Sequence, residues 1–311
     1  MRAVRHTESG IETIDAAEPT GPGALVRVAS AGICGSDLHM LQWGPMPFTL
    51  GHEVGGRLED GTPVAVWPSR PCGTCDRCLA GQTTQCRTGM TSVYGSTSGD
   101  GGMAGAMLVE ERCIVALPAG VAPGDAALVE PIACSVHAFD RGDVQRGDRV
   151  AVVGAGSIGI GAAAVARWMD CPVDVSARHD AQRRAVTAIG AGLDPSGEYD
   201  VVIEAAGTTS ALESCFALLR PGGTIIFVGT AWEPVQFPMF FTGKEPRMVG
   251  AVTHNHGDAG SDMARAAQLL ADLPDVAPAM ITHRIPIDRA ADAFRIAADR
   301  SAGAIKVVIE P

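Results

Sequence analysis

The chain has 311 residues, 46% of them hydrophobic and 19% charged. That is the make-up of an ordinary globular protein with more length than one core normally organises, so two domains are expected. A net charge of −11 and a pI near 5.1 argue against nucleic acid as a partner, because phosphate binding draws on an excess of Lys and Arg. No uninterrupted apolar run is long enough to cross a bilayer, and the first residues, MRAVRHTESGIETIDAAEP, lack the apolar stretch of an export signal, which points to the cytoplasm.

In chain order, Ala24 to Val28 reads as a strand and leads into the turn-rich, polar Gly32-Ile33-Cys34-Gly35-Ser36-Asp37-Leu38-His39. Cys34 alone is a weak signal. Gly51-His52-Glu53 and, further on, Glu130-Pro131 add an imidazole and carboxylates, the ligand types of a catalytic zinc that keeps one position open. Between His39 and Gly51 lie Trp43, Met46 and Phe48; with Tyr94 and the later Trp232 they are candidates for an apolar, aromatic substrate wall, ordinary packing being the other reading.

Cys72, Cys75, Cys78 and Cys86 have the spacing C-x2-C-x2-C-x7-C. Four thiolates so close can surround one Zn²⁺ at about 2.3 Å per bond and leave no position for substrate, which is a structural role. A pair of disulfides would instead need an oxidising compartment. Pro68, Pro71, Gly73 and Gly81 mark an irregular lobe over about 68–90, the kind of segment that a metal staples. Cys113, Cys134, Cys171 and Cys215 have no recognisable spacing and read as small buried apolar residues. His137, His254, His256 and His283 read as structural or solvent-facing, and His6 as part of an N-terminal strand.

Near residue 132 the texture changes from short, Gly- and Pro-punctuated strands to apolar runs alternating with Ala-rich helical stretches. Arg149 to Val153 reads as a buried strand, Gly154-Ala155-Gly156-Ser157-Ile158-Gly159 as a glycine-rich turn, and Ile160 to Met169 as a helix. In that context the glycines suit a dinucleotide: Gly154 for the tight turn, Gly156 for close approach of the pyrophosphate, Gly159 for helix against strand. The alternation continues with strand Val173 to Ser176, helix Ala181 to Ile189, strand Asp200 to Glu204, helix Ser210 to Leu219, the turn Pro221-Gly222-Gly223, and strands Thr224 to Val228 and Arg247 to Thr253. This predicts a doubly wound parallel sheet in an α/β domain. After the second strand, Ala177 stands where an NAD enzyme usually has an acid, and Arg178 and His179 follow. Such a site favours NADP, unless Asp174 or Asp180 turns in to serve NAD.

The stretches GICGSDLH, TLGHEVGG, CGTCDRC with its later Cys86, ALVEPIACSVHA, VAVVGAGSIG, LRPGGTIIFVG and GAIKVVIEP together resemble the zinc-containing medium-chain dehydrogenase/reductase superfamily of alcohol and polyol dehydrogenases. The resemblance covers essentially the whole chain. It implies a GroES-like, β-rich catalytic domain at 1–131 and 257–311 and a Rossmann domain at 132–256. It implies a catalytic zinc at Cys34 and His52 with Glu53 and Glu130 as candidate ligands, and a second, structural zinc at the four-cysteine cluster. Glu130, where simple alcohol dehydrogenases have cysteine, points toward polyols, sugars or cyclitols. Asp37 corresponds to the acid that orients the zinc-bound imidazole, although it also suits a turn cap. Ser36 and His39 correspond to a proton relay. Gly154, Gly156, Ser157, Ile158, Gly159, Ala177, Arg178, His179 and Gly229 correspond to NADP or NAD contacts, and Lys306 to a residue that meets the pyrophosphate. A homodimer or homotetramer is also implied, through an exposed edge at Met248 to Thr253. The chain departs from the family in its length, with short connections at 57–62 and 192–198, and in Met103-Ala104-Gly105-Ala106.

Overall fold

The computed structural model describes residues 1–254 and 261–311; His256 and the expected boundary at 256/257 lie outside them. The chain divides into two compact units, the first formed by Met1–Glu130, Asn255–Ala271 and Ile281–Pro311, the second by Pro131–His254 and Asp272–Met280. None of the described helices is long and apolar enough to cross a membrane.

In the first unit a seven-stranded path runs Ile281–Pro286, Lys306–Glu310, Ala24–Gly32, Glu53–Arg57, Pro63–Val66 and Ile114–Ala116, with Ala106–Val109 pairing onto Ala24–Gly32. The predicted strand at Ala24 therefore continues to Gly32. Its pairing sets the site: Gly32 lies opposite Glu53 in one neighbour and opposite Val308 in the other. Cys34, Glu53 and Lys306 thus fall at one end of three adjacent strands. A Cβ on Gly32 would lie 1.9 Å from Glu53 Oε2, so only glycine leaves room for that carboxylate. Behind this end sits a core of Ala31, Ile33, Leu50, Met103, Phe294 and Val307, with Met46 and Phe48 packed on it. Each large aliphatic or aromatic side chain buried there contributes about 1.5–3 kcal/mol.

The turn before His52 is fixed by backbone packing. Gly51 has φ +100°, and a Cβ on Gly95 or Gly101 would stand 2.3 Å from its carbonyl oxygen. The lobe predicted at 68–90 is irregular, with a short helix Asp76–Leu79 and two single turns, Thr83–Gln85 and Gly89–Thr91. Leu79 and Met90 are exposed on it.

The second unit is a six-stranded sheet with every neighbouring pair parallel. Taken by their rank along the chain, its strands lie in the order 3-2-1-4-5-6: Gly192–Leu193, Val173–Ser176, Val150–Val153, Tyr199–Glu204, Leu219–Phe227, Arg247–Gly250. That is the arrangement of a doubly wound nucleotide-binding sheet. The helices Ser157–Trp168, Asp180–Ala188 and Thr209–Leu218 fall within a residue or three of their predicted limits. Around Pro221-Gly222-Gly223 the pairing jumps from Tyr199 with Leu219 to Val201 with Thr224, and Gly222 has φ +68°, so the predicted turn interrupts the strand. The short connection at 192–198 reduces the third strand to two residues, with no helix between it and Tyr199.

One segment departs from the expected division. Asp272–Met280 belongs to the second unit, where Arg167 Nη1 pairs with Asp275 at 2.8 Å and Trp168 Nε1 donates to Asp272 at 2.9 Å.

Candidate functional site

Cys34 is extended (φ −88°, ψ 154°) and heads the short helix Gly35–Met40. Asp37, one turn in and 1% exposed, serves two groups at once. Its Oδ2 accepts the Cys34 N–H at 2.9 Å, while Oδ1 faces His52 Nδ1 at 3.3 Å. Both predicted uses of Asp37, turn cap and partner of the imidazole, are thus present in the geometry. With Nδ1 turned to Asp37, Nε2 is the nitrogen left for a metal. One ligand atom from each of Cys34, His52 and Glu53 lies within 4.8 Å of the others. Ser36 and His39, three positions apart on the helix, are both half-buried and share a face.

Burial works against a charged His52, but the Asp37 carboxylate and hydrogen bonds to Asp37 and Cys34 outweigh it and hold the imidazole well above its usual range. A histidine whose folded pKa exceeds its unfolded value stabilises the fold fully below about pH 6.5 and loses that contribution as pH rises through the folded value. Chelator-treated protein should therefore lose denaturant stability above about pH 6.5, and a His52→Gln variant should show a flatter profile. Zinc must displace that proton, so its affinity should rise over the same range.

Glu53 and Lys306 are 1% and 2% exposed. Lys306 Nζ donates to both Glu53 oxygens at 2.6 Å and to the Ile33 carbonyl at 3.1 Å. Burial opposes the ammonium, yet the charges of Glu53, Cys34 and Glu130 keep it protonated beyond the usual lysine range. Burial likewise lifts the Glu53 carboxyl above its ordinary value, but the two-oxygen grip is the geometry of a carboxylate. This corrects the expectation for Lys306: a side chain enclosed by Glu53 and Ile33 is not available to a pyrophosphate. Glu130, buried at the start of the helix Val129–Gly142, lies close enough to act on both charges.

Of the proposed substrate wall, Tyr94 is a packing residue. It is 7% exposed, its hydroxyl accepts the Glu110 N–H at 3.1 Å, and the Arg70 guanidinium covers its ring at 4.2 Å. Phe48 is half-buried against the core. Trp43 is 70% exposed, and Trp232 is also exposed. Cys113, Cys171 and Cys215 are buried as expected, whereas Cys134 is half-buried.

The sulfurs of Cys72, Cys75, Cys78 and Cys86 lie within 4.8 Å of one another, with Cys72 and Cys78 4.0 Å apart. Tetrahedral zinc at about 2.3 Å per sulfur needs spacings of about 3.8 Å. Donation from the Thr74 backbone and hydroxyl and from the Cys75 N–H brings the Cys72 thiol down to about 5. Burial, with the other thiols, pushes Cys78 up to about 12. Cys72 therefore favours the thiolate while Cys78 stays a neutral thiol, the split expected of crowded thiols that share charge with no cation among them.

In the second unit Gly154 has φ +109°, and a Cβ on Gly159 would stand 1.8 Å from the Gly154 oxygen. Nothing lies within 4 Å of the Cβ position of Gly156. The helix Ser157–Trp168 starts there with no side-chain cap, and the buried Ser157 Oγ has no hydrogen-bond partner. Open backbone, uncapped N–H groups and an orphaned hydroxyl fit a dinucleotide pyrophosphate. Gly159→Ala should raise the dissociation constant of NADP or NAD by about fivefold or more, if the strain of overpacking, about 1–3 kcal/mol, falls on the turn that holds the pyrophosphate; a fluorescence titration with a parallel thermal melt checks it. Gly229 is crowded by Gly207 N and Glu204 Oε2, each within 2.7 Å of its Cβ position. Ala177 is buried and Arg178 and His179 are exposed. Among the described residues the Arg178 guanidinium has no ion pair. Asp174, by contrast, accepts the Tyr199 hydroxyl at 2.7 Å.

Residues 21–119 match the family model "alcohol dehydrogenase GroES-like domain", and residues 157–272 match "zinc-binding dehydrogenase". The chain is 36% identical to L-galactonate-5-dehydrogenase of Escherichia coli strain K12 over 306 residues, covering 87% of this chain and 86% of that protein. It belongs to the zinc-containing medium-chain dehydrogenase/reductase family. Another relative of this dehydrogenase is L-idonate 5-dehydrogenase (NAD(P)(+)) of the same strain, 29% identical over 95% of both chains. Among solved structures, galactitol-1-phosphate dehydrogenase of Escherichia coli superposes with a TM-score of 0.88 at 26% identity over the full length of both chains. A proposed zinc-binding dehydrogenase of Sinorhizobium meliloti 1021, bound to NADP, has a TM-score of 0.87 at 30% identity, covering 100% of this chain and 99% of that one.

Proposed function

We propose that this dehydrogenase oxidises a secondary hydroxyl of a polyol or sugar acid, or reduces the matching ketone, with NADP as the favoured cofactor. The observation that carries the reading is the ligand set of half-buried Cys34 with buried His52 and carboxylates, with Glu130 in place of a second cysteine; relatives named for galactonate, idonate and sorbitol support it. Bound there, zinc would supply a Lewis acid that lowers the pKa of the substrate hydroxyl, and a nicotinamide cofactor would supply the hydride acceptor. Cys34, His52 and a carboxylate of Glu53 or Glu130 would hold the metal. Asp37 keeps His52 in one tautomer and orientation. Ser36 takes the hydroxyl proton and passes it toward His39, which releases it to solvent. Arg178 and the absence of an acid at Ala177 support the 2′-phosphate of NADP, and Asp174 is already engaged by Tyr199. The four-cysteine cluster is read as a structural zinc site. A cytoplasmic homodimer or homotetramer acting on a small molecule completes the proposal.

The test is a panel of polyols, sugar acids and simple alcohols with NADP and NAD in turn, followed through nicotinamide absorbance. Turnover of a polyhydroxylated substrate with NADP is expected. Arg178→Ala should raise KM for NADP about 10- to 100-fold and leave NAD unaffected, as a lost charge-assisted bond of about 1.5–3 kcal/mol requires. Preference for NAD and simple alcohols would reject both parts of the proposal.

A further inference from the structure

We infer that Glu204 is a positioning residue for the dinucleotide: its carboxylate folds the Ala205–Gly207 turn against the glycine-rich turn at Gly154 and so builds one wall of the cofactor site. The inference rests on the reading of Gly154 to Gly159 as that site. Glu204 ends the strand Tyr199–Glu204 and is 3% exposed. It lies opposite Val153 in one neighbouring strand and opposite Phe227 in the other, so Gly154 and Gly229 leave the sheet on either side of it. In the order 3-2-1-4-5-6 its strand is the fourth and Val150–Val153 the first. That is the pair at which the order reverses, and ligands of such sheets bind beyond the carboxyl ends at that point.

Side chain and backbone of Glu204 act together. Oε1 accepts the Ala206 N–H at 2.9 Å and the Gly207 N–H at 2.7 Å, while the Glu204 carbonyl accepts the Val228 N–H at 3.0 Å and the Gly229 N–H at 2.9 Å. The turn so formed presses on both neighbours. A Cβ on Gly154 would lie 3.0 Å from Ala205 C and 3.1 Å from Ala206 Cβ, and one on Gly229 would lie 2.6 Å from Gly207 N. One on Gly207, where φ is +66°, would lie 2.3 Å from Thr230 O. Three strand ends thus close on one another with a glycine at each contact. Among the described residues the carboxylate meets its two backbone donors and no cation. Burial without a cation is costly, and an apolar side chain would fill the space at lower cost. What the carboxylate adds is one acceptor shared by two neighbouring N–H groups, which sets the turn before any cofactor arrives.

The experiment uses the full chain and reads dissociation constants of NADP and NAD by fluorescence titration, with a thermal melt of each variant. Glu204→Leu, which fills the space but removes the acceptor, is expected to weaken both cofactors about tenfold or more. Glu204→Gln keeps an acceptor oxygen and should stay within about threefold of the parent. A merely structural carboxylate predicts a lower melting midpoint in Glu204→Leu with unchanged cofactor binding, and that result would overturn the proposal. Equal weakening in the Gln and Leu variants would also reject it, because the acceptor would then not be what matters. Amide hydrogen exchange of the cofactor-free parent needs no variant: Ala206 and Gly207 should exchange well below unprotected rates, and unprotected exchange would mean that Glu204 does not hold the turn. If Glu204→Leu does not fold, the exchange result decides alone. Failure of the parent to bind either NADP or NAD would instead reject the dinucleotide reading itself, and the proposal with it.

Discussion

Replacing Cys34 by serine or His52 by glutamine is expected to lower kcat/KM by about a thousandfold or more, because a Lewis acid supplies several kcal/mol of transition-state stabilisation and each 1.36 kcal/mol is a factor of ten. The two side chains stand at the end of the sheet rather than in the apolar cluster behind it, so the fold should survive. Asp37→Asn should be milder, about 10- to 100-fold, since it removes the charge facing His52 but keeps an oxygen for the Cys34 N–H. Steady-state kinetics with zinc analysis of each variant separates the cases. Zinc loss with dead Cys34 and His52 variants, and retained zinc with a slowed Asp37 variant, is the expected pattern. Activity within tenfold of the parent in Cys34→Ser would remove the basis for a catalytic metal at this place.

What could be read from the chain was whatever the chemistry writes locally. The glycine-rich turn sits between a strand and a helix in six residues, and the four cysteines fall within fifteen, so spacing alone carries their meaning. The structure adds the reason for each glycine: Gly154 needs its positive φ and Gly159 has no room for a methyl group. The Ala177-Arg178 reading likewise depended on one loop after one strand, and Arg178 stands exposed there.

Non-local pairings were harder to see. Lys306 and Glu53 are 253 positions apart, and resemblance alone placed the lysine at a pyrophosphate. A signal was present nonetheless. Asp37, Glu53 and Glu130 are acidic groups that cannot all be buried without a cation, and Lys306 stands directly before the apolar run Val307-Val308-Ile309 of its strand. Tyr94 was misread because an aromatic residue near a predicted site has no sequence mark that separates wall from packing. Only Arg70 over its ring and Glu110 at its hydroxyl decide the matter. The placement of Asp272–Met280 depends on contacts to Arg167 and Trp168 more than a hundred positions away, beyond the reach of periodicity.

The second large effect is expected at the four-cysteine lobe. Exposed Leu79 and Met90 show how little apolar surface the segment buries, so its short helix and turns have few contacts to replace a metal. For such a segment the binding free energy of zinc is folding free energy. Cys86→Ala, which removes one thiol of the proposed zinc site and the acceptor of the Cys72 N–H at 3.3 Å, should open the lobe to proteolysis between 72 and 90. It should also lower the melting midpoint by about 5 °C or more, given about 2–4 °C per kcal/mol for a chain of this size class. A thiol held below its free value favours the folded lobe above the free pKa and loses that effect as pH falls through the folded one. Cys72 sits at about 5 without metal, and a bound zinc would hold the proton off further, so acid should release zinc from this cluster only below about that value, and a zinc indicator followed through an acid titration would record it. Cleavage and melting unchanged in Cys86→Ala would mean that the lobe is held by its turns alone, and the structural zinc would have to be abandoned even if the catalytic one stood.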